Sequence, residues 1–228
     1  MDAQFGGGIP SGTSILLLAD PSNAPYLFNE QFAAGGLEKG ERVYFYSLER
    51  PKEEILTNLR AYMTRDPGPS LQFFDCYSVK MKALPPAAMK KLGITNHAVN
   101  VTEDIIERLV GDKHTAPFRV VIESVSEAVH AYGLEPTLNM LRQLTGIVTK
   151  LGGTCAFLLI KGLHDHAVET AVRHLADGVI EFGVDRQGFG LYSYISISKM
   201  RGVPDATRLL LYKETEKGLW LESTRRVF

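Results

Sequence analysis

The stretch that decides the fold is SILLLADPSNAPYLFNEQFAA, residues 14–34 of a chain of 228. Ser14–Ala19 is an apolar run of strand length. From Tyr26 to Ala34 apolar residues recur three or four positions apart, which predicts a helix. The residues between them, Asp20-Pro21-Ser22-Asn23, are typical of a turn. A strand, a short turn and a helix in this order are the repeating unit of an α/β fold.

The rest of the chain repeats this alternation of strand and helix. Strands are predicted at Ser14–Ala19, Arg42–Ser47, Leu71–Cys76, Phe118–Ser124, Thr154–Ile160 and Gly178–Phe182. Helices are predicted at Tyr26–Ala34, Lys52–Met63, Glu103–Gly111, Glu135–Leu151 and Ala167–Leu175. This order predicts an α/β fold with a mainly parallel central sheet flanked by helices.

After about residue 183 the pattern changes to strict alternation. Leu191–Ser198 alternates in the manner of a strand, and a turn containing Gly188 and Gly190 precedes it. Two more short strands are predicted at Arg208–Tyr212 and Leu219–Leu221. These predict an antiparallel C-terminal extension. Because no repeat or linker interrupts the chain, residues 1–228 are expected to form one domain.

Composition gives no support for a nucleic-acid-binding protein or a membrane protein. A net charge of −1 and a pI near 6.6 give no general attraction to nucleic acid, so nucleic-acid binding is possible but unsupported. No apolar run approaches the roughly 20 residues that span a bilayer, so membrane insertion is not expected. Cys76 and Cys155 lie in apolar runs, which predicts buried reduced thiols and a cytoplasmic location.

Five motifs resemble those of the KaiC family of RecA-like P-loop ATPases. They are Gly6–Gly12 before the first strand, Tyr46–Pro51 (YSLERP), Val120–Ser126 (VVIESVS), His174–Ile180 (HLADGVI) and Lys199–Gly202 (KMRG). The resemblance implies a RecA-like fold, oligomeric assembly, and a site for ATP and magnesium.

The phosphate loop of that family is altered in this chain. Its Gly-x-x-x-x-Gly-Lys-Thr falls on Ala19, Asp20, Pro21, Ser22, Asn23, Ala24, Pro25 and Tyr26. Pro25 replaces the lysine and also lacks a backbone N–H. One interpretation is a plain strand-to-helix turn with Pro25 in the first helical turn, and then no cofactor is expected. The alternative is that backbone donors of Ser22–Ala24 still hold ATP with magnesium.

The resemblance also assigns roles to four charged residues. Glu49 matches the first of two glutamates that polarise the attacking water, and Arg50 stands at the second. Glu123 takes the place of the Walker B aspartate, which orients a water on magnesium. Lys199 and Arg201 match residues that reach a neighbouring subunit's γ-phosphate.

Each of these residues also has a plain structural explanation. Glu49 could pair with Arg50, and Glu123 could bond to Ser124 or Ser126. Lys199 and Arg201 could form a charged strand end. His164-Asp165-His166 lacks a fourth ligand, so no metal site is expected.

The favoured hypothesis is a non-hydrolysing regulatory or scaffold subunit. It would assemble as a homo-oligomer, or as a hetero-oligomer with an active RecA/KaiC-type ATPase. The alternatives are a divergent ATPase in signalling or DNA recombination, and a single-stranded DNA-binding accessory protein.

Overall fold

Strand β1 (Thr13–Ala19) is buried along its whole length and lies inside the sheet, between β5 and β6. The structure is a computed structural model, and it describes residues 8–21, 25–77, 101–114, 117–187, 190–203, 208–215 and 218–222. The apolar run that predicted β1 therefore has a direct cause, since a strand covered on both faces needs apolar side chains on both.

The described residues form six helices and nine strands. The helices are α1 (Pro25–Glu38), α2 (Lys52–Ala61), α3 (Val101–Gly111), α4 (Val125–Tyr132), α5 (Leu134–Leu151) and α6 (His166–Leu175). The remaining strands are β2 (Arg42–Ser47), β3 (Leu71–Asp75), β4 (Phe118–Ile122), β5 (Thr154–Ile160), β6 (Gly178–Gln187), β7 (Gly190–Met200), β8 (Arg208–Thr215) and β9 (Gly218–Leu221).

The strands form one sheet in the order β3-β2-β4-β5-β1-β6-β7-β8-β9. The first six in this order are parallel, whereas β6 to β9 pair antiparallel. Both the mainly parallel sheet and the antiparallel C-terminal extension are therefore confirmed.

Helices cover both faces of the parallel part. Alternate side chains of β1, such as Leu17, pack with residues of α1 and α2 including Phe28 and Ile55. The other set, such as Leu16, packs with residues of α3, α5 and α6, among them Leu141. These two layers are the hydrophobic core.

Helix α4 was missed by the sequence analysis. Strand β4 ends at Ile122, two residues before the predicted Ser124, because Ser124 is the N-cap of α4 and accepts a hydrogen bond from the N–H of Glu127 at 3.2 Å. The eight residues of α4 are too few to show a clear helical period.

The topology sets the place of the candidate site. Strands β1, β2 and β4 are parallel and end at Ala19, Ser47 and Ile122 on the same edge of the sheet, which we call the carboxyl edge. Ligands in open α/β sheets bind outside this edge. The opposite edge, where β1 and β6 begin and β7 ends, is called the amino edge.

Candidate functional site

Helix α1 begins at Pro25, as expected for a proline in the first helical turn. Strand β1 ends at Ala19, whose carbonyl accepts a hydrogen bond from the N–H of Lys161 at 2.8 Å. Asp20 and Pro21 follow, and Ser22, Asn23 and Ala24 lie outside the described residues. The lysine position of a phosphate loop is thus the first residue of a helix and carries no N–H donor.

Glu123 is fully buried just beyond β4, and its carboxylate is hydrogen-bonded on both oxygens. Oε2 accepts the backbone N–H groups of Leu48 and Glu49 at 2.9 Å each and that of Arg50 at 3.3 Å. Oε1 accepts the Nε–H of Arg50 at 2.7 Å. A carboxylate oxygen offers about two acceptor positions, so Oε2 is fully occupied and Oε1 is occupied in part.

The prediction of the hydrogen-bond partners of Glu123 was wrong. We predicted a bond to Ser124 or Ser126, but Ser124 caps α4, and the hydroxyl of Ser126 accepts the N–H of Ile160 at 3.0 Å. The turn after β2 supplies the donors instead. This pairing depends on β2 and β4 being neighbours in the sheet, which motif spacing alone does not show.

Arg50 joins three carboxylates from three different elements. Besides Glu123, its Nη1 lies 2.8 Å from Glu30 on α1 and 3.4 Å from Glu54 on α2. The side chain of Arg50 is only 16% exposed. Burial acts against its charge, but Glu123 and Glu30 outweigh burial and raise the pKa of the guanidinium. Arg50 is therefore a permanent cation at the carboxyl edge.

Glu30, like Glu54, is a site residue that the sequence analysis missed. It is fully buried, and its Oε1 also accepts a hydrogen bond from Nδ2 of Asn58 at 3.1 Å. Burial raises the pKa of Glu30, and Arg50 only partly offsets that. The available signal was a glutamate close to the apolar positions of α1, where an acid needs a buried partner.

Tyr26 closes the group on the side of α1. Its hydroxyl is hydrogen-bonded to Glu49, and the guanidinium of Arg50 lies 4.6 Å from the centre of its ring. Burial, followed by the charge of Glu49, raises the pKa of Tyr26, so its phenol stays neutral. Arg50 pairs with Glu30, Glu54 and Glu123 instead of the predicted Glu49. We call these six residues, Tyr26, Glu30, Glu49, Arg50, Glu54 and Glu123, the Arg50 cluster.

The charges of the Arg50 cluster are unfavourable for a triphosphate. It contains four carboxyl groups and one guanidinium. Even with one carboxyl protonated the balance is negative, and like charges that share a partly buried site repel strongly. The arrangement can hold its own side chains in place, but it presents no free cation to phosphate.

Lys199 and Arg201 lie at the amino edge, across the sheet from the Arg50 cluster. Lys199 donates from Nζ to the carbonyl of Ala176 at 2.6 Å. Arg201 pairs with Asp177 at 2.9 Å and donates to the carbonyl of Gly12 at 2.8 Å. Oδ2 of Asp177 also accepts the N–H of Ser14 at 2.9 Å. We call Gly12, Ser14, Asp177 and Arg201 the Arg201 cluster; its arginine side chain is 51% exposed.

The remaining candidates do not join these clusters. Asp165 caps α6 by accepting the N–H of Val168 at 3.0 Å. Within the described part of the chain, no group of three metal-ligating side chains comes together. Cys76 and Cys155 are buried and not joined in a disulfide, as predicted. None of the described helices is long and apolar enough to cross a bilayer.

Comparison with known proteins gives a consistent result. The family model described as "ATPase: KaiC" matches residues 1–224. A UPF0273 protein of Thermotoga maritima is 26% identical over 225 residues, which cover 96% of this chain and 91% of that protein. A UPF0273 protein of Methanopyrus kandleri is 24% identical over 240 residues, covering 96% and 87%.

Two solved structures share the fold. A KaiC-like protein from Pyrococcus horikoshii aligns with a TM-score of 0.68 at 19% identity. The flagellar accessory protein FlaH from Methanocaldococcus jannaschii aligns with a TM-score of 0.71 at 16% identity. Both alignments cover 98% of this chain and 95% of the other. At these identities the likeness establishes the fold.

Proposed function

The chain belongs to the KaiC ATPase family, and from that premise we propose that it is a non-hydrolysing regulatory or scaffold subunit. It assembles with itself or with an active relative, and it does not use ATP as a substrate. Family membership alone would favour an ATPase, so the proposal depends on the chemistry of the carboxyl edge.

The observation that carries the proposal is the carboxylate of Glu123, both oxygens of which are bonded within the protein. A residue that orients magnesium or its waters must have free lone pairs directed at the ion. Glu123 directs its lone pairs at three backbone N–H groups and at Arg50. Releasing it would leave three backbone N–H groups and the Nε–H of Arg50 without acceptors, which costs several kcal/mol (about 3–5).

The beginning of α1 supports the same conclusion. Pro25 contributes neither an ammonium group nor an N–H, and Tyr26 has an aromatic ring where a small hydroxyl side chain would be needed beside magnesium. That ring is stacked under Arg50, and its hydroxyl is bonded to Glu49. The positions that match the magnesium ligand and the second glutamate, Tyr26 and Arg50, are thus held by side chains that contact each other.

Lys199 and Arg201 are the residues through which the subunit would act on a partner. Arg201 is half exposed, and its present partners are one carboxylate and one carbonyl. Partially exposed pairs of this kind are weak, so the guanidinium can exchange Asp177 for a group on a neighbouring subunit. A planar guanidinium suits a phosphoryl group on an active relative.

The test has two parts, ligand and turnover. Purified protein should release no nucleotide on denaturation, and titration with Mg-ATP should give no saturable heat in calorimetry. Phosphate release should stay at the buffer rate and be unaffected by Glu49→Gln. Bound nucleotide in the purified protein, or saturable heat, would overturn the proposal.

Family membership keeps one alternative in place, a divergent ATPase that holds nucleotide through backbone donors of Ser22–Ala24. It requires turnover that Glu49→Gln abolishes. The matched control is Glu53→Gln, which changes an exposed carboxylate at the start of α2, outside the Arg50 cluster. Turnover that both variants lower equally would point to a contaminating enzyme.

Assembly is tested separately. Sedimentation velocity should show a self-associated species, or a complex when an active relative from the same cell is added. Arg201→Ala should weaken the association, whereas Arg173→Ala should not, since Arg173 pairs with Glu181 away from the Arg201 cluster. A monomer that also fails to bind any relative would contradict the scaffold role.

A further inference from the structure

The Arg50 cluster brings together segments that are far apart in the chain. Glu30 belongs to α1, Arg50 to the turn between β2 and α2, and Glu123 to the turn after β4. From that turn the guanidinium bonds to Glu30 and Glu123, and also to Glu54 on α2. One side chain therefore fastens two helices and two strand ends at the carboxyl edge.

The cluster is buried enough for these contacts to be strong. Glu30 and Glu123 have 0% side-chain exposure and Arg50 has 16%. Buried ion pairs are only weakly screened by salt, and removing one partner leaves an uncompensated charge in a medium of low dielectric constant. The three backbone N–H bonds to Glu123 also fix the turn after β2, because that turn cannot move without breaking them.

The contacts of α1 with α2 pass through the same residues. Asn58 on α2 donates to the carboxylate of Glu30 that Arg50 also binds. The ring of Tyr26 packs under the guanidinium from the side of α1. The polar contacts between the two helices at this edge therefore centre on Arg50.

We propose that Arg50 is an internal lock, which holds α1, α2 and the ends of β2 and β4 in one arrangement without any bound ligand. Its guanidinium binds three of the four carboxylates of the Arg50 cluster directly, so these contacts need no metal ion or nucleotide as a bridge. This inference rests on the proposed function in one respect, since it takes Mg-ATP not to be the ligand that orders this edge. It adds that the ordered state is intrinsic to the chain.

The experiment is hydrogen exchange measured by mass spectrometry on the full chain, with and without Mg-ATP. In the wild type, amides of α1 and of residues 48–61 should be protected equally in both conditions. Arg50→Met keeps the length of the stem and removes the charge. It should speed exchange in these segments about 10²- to 10³-fold, the factor expected when a buried pair is broken, while β7 and β8 keep their protection.

A second variant keeps the test decisive if Arg50→Met does not fold. Glu30→Gln retains an oxygen for Asn58 and removes one of the buried carboxylates that Arg50 bridges. It should loosen α1 relative to α2 and leave the turn held by Glu123 protected. Arg201→Met is the matched control, and it should leave exchange at the carboxyl edge unchanged.

The outcomes separate the lock from the proposed function. Wild-type exchange in Arg50→Met and Glu30→Gln would overturn the lock, whatever the protein does with ATP. Low protection of this edge in the free wild type that rises with Mg-ATP would overturn both. Saturable ATP binding with unchanged, high protection would overturn the proposed function and leave the lock standing.

Discussion

The Arg50 and Arg201 clusters use the same chemical groups at opposite edges of one sheet. In each cluster, a carboxylate accepts a hydrogen bond from a backbone N–H group and forms an ion pair with an arginine side chain. They differ in burial: Glu123 is 0% exposed against 15% for Asp177, and Arg50 is 16% exposed against 51% for Arg201. The difference separates a pair that fixes structure from a pair that can open.

The reason is dielectric screening. Two unit charges 4 Å apart attract by about 1 kcal/mol in water but by several times more where water is excluded, roughly 4 kcal/mol at an effective dielectric constant of 20. Water has little access to the Arg50–Glu123 pair, so it cannot readily replace the contacts that are lost when the pair opens. Arg201 is more exposed and can exchange Asp177 for water. This difference is the basis of our proposal that the carboxyl edge contributes stability and the amino edge contacts a partner.

The largest expected effect comes from removing the two carboxylates. Glu123→Ala leaves three backbone N–H groups and the Nε–H of Arg50 without acceptors, and we expect the free energy of unfolding to fall by about 3–5 kcal/mol. Asp177→Ala removes a similar set of bonds at a wetter site and should cost about 1–2 kcal/mol. Urea denaturation of both variants in one buffer measures the difference.

Equal losses in the two variants would break the comparison. They would mean that burial does not decide the strength of these clusters. The m-value serves as the control, because a changed m-value would show that the denatured or native state had altered in compactness.

The pH dependence of Glu30→Gln is the next effect in size. Because burial raises the pKa of Glu30 in the folded state, the folded chain holds the proton more tightly than the unfolded chain. The wild type is therefore destabilised by this group as pH rises above its unfolded pKa of about 4.5 and through the folded value. The stability that Glu30→Gln loses relative to the wild type should therefore become smaller as pH rises from about 4.5 to about 8.

Thermal unfolding of both proteins across this pH range measures the effect. Glu38 and Asp112 have the opposite effect on the pH dependence of folding. Hydrogen bonds from Thr64 and Tyr44 lower their pKa values, so the stability that these two carboxylates contribute is lost as pH falls. They are present in both proteins and cancel in the difference. A loss that grows as pH rises would contradict this and would show that Glu30 is a stably ionised partner of Arg50.

Most of the fold could be predicted from sequence. The predicted strand Thr154–Ile160 has the observed bounds, and the predicted helix Glu135–Leu151 is one residue short of the observed α5. The runs are long and strongly periodic, and the protein core enforces the same periods. Helix α4 escaped because it is short and depends on the cap at Ser124.

The site was only partly predictable. The sequence identified Pro25, Glu49 and Glu123 as positions to inspect, since motif order places them at strand ends. It could not show that Arg50 reaches back to Glu123, because that contact requires β2 beside β4. The sequence pattern did not identify Glu30 for a similar reason, since its partners Arg50 and Asn58 lie at least 20 positions away along the chain.

A smaller effect is expected from Arg201→Met. The side chain is half exposed, and pairs of this kind contribute about 0–1 kcal/mol. We expect the urea midpoint to move little while binding to a partner subunit is lost or clearly weakened. Arg50→Met should do the reverse, with a large loss of stability. If Arg201→Met proves as destabilising as Arg50→Met, then Arg201 is a structural residue and the amino edge is not the partner surface.

The smallest expected effect is the response of the two pairs to salt. At 1 M ionic strength the Debye length is about 3 Å, so the exposed contact of Arg201 with Asp177 is largely screened and the buried contact of Arg50 with Glu123 much less. Double-mutant cycles at low and high salt isolate each coupling energy. We expect the Arg201–Asp177 coupling to fall by a few tenths of a kcal/mol (about 0.2–0.5) and the Arg50–Glu123 coupling to change proportionally far less. Proportional losses in both would mean that water reaches Arg50 in solution, and the carboxyl edge would then be open enough to exchange its partners as the amino edge does.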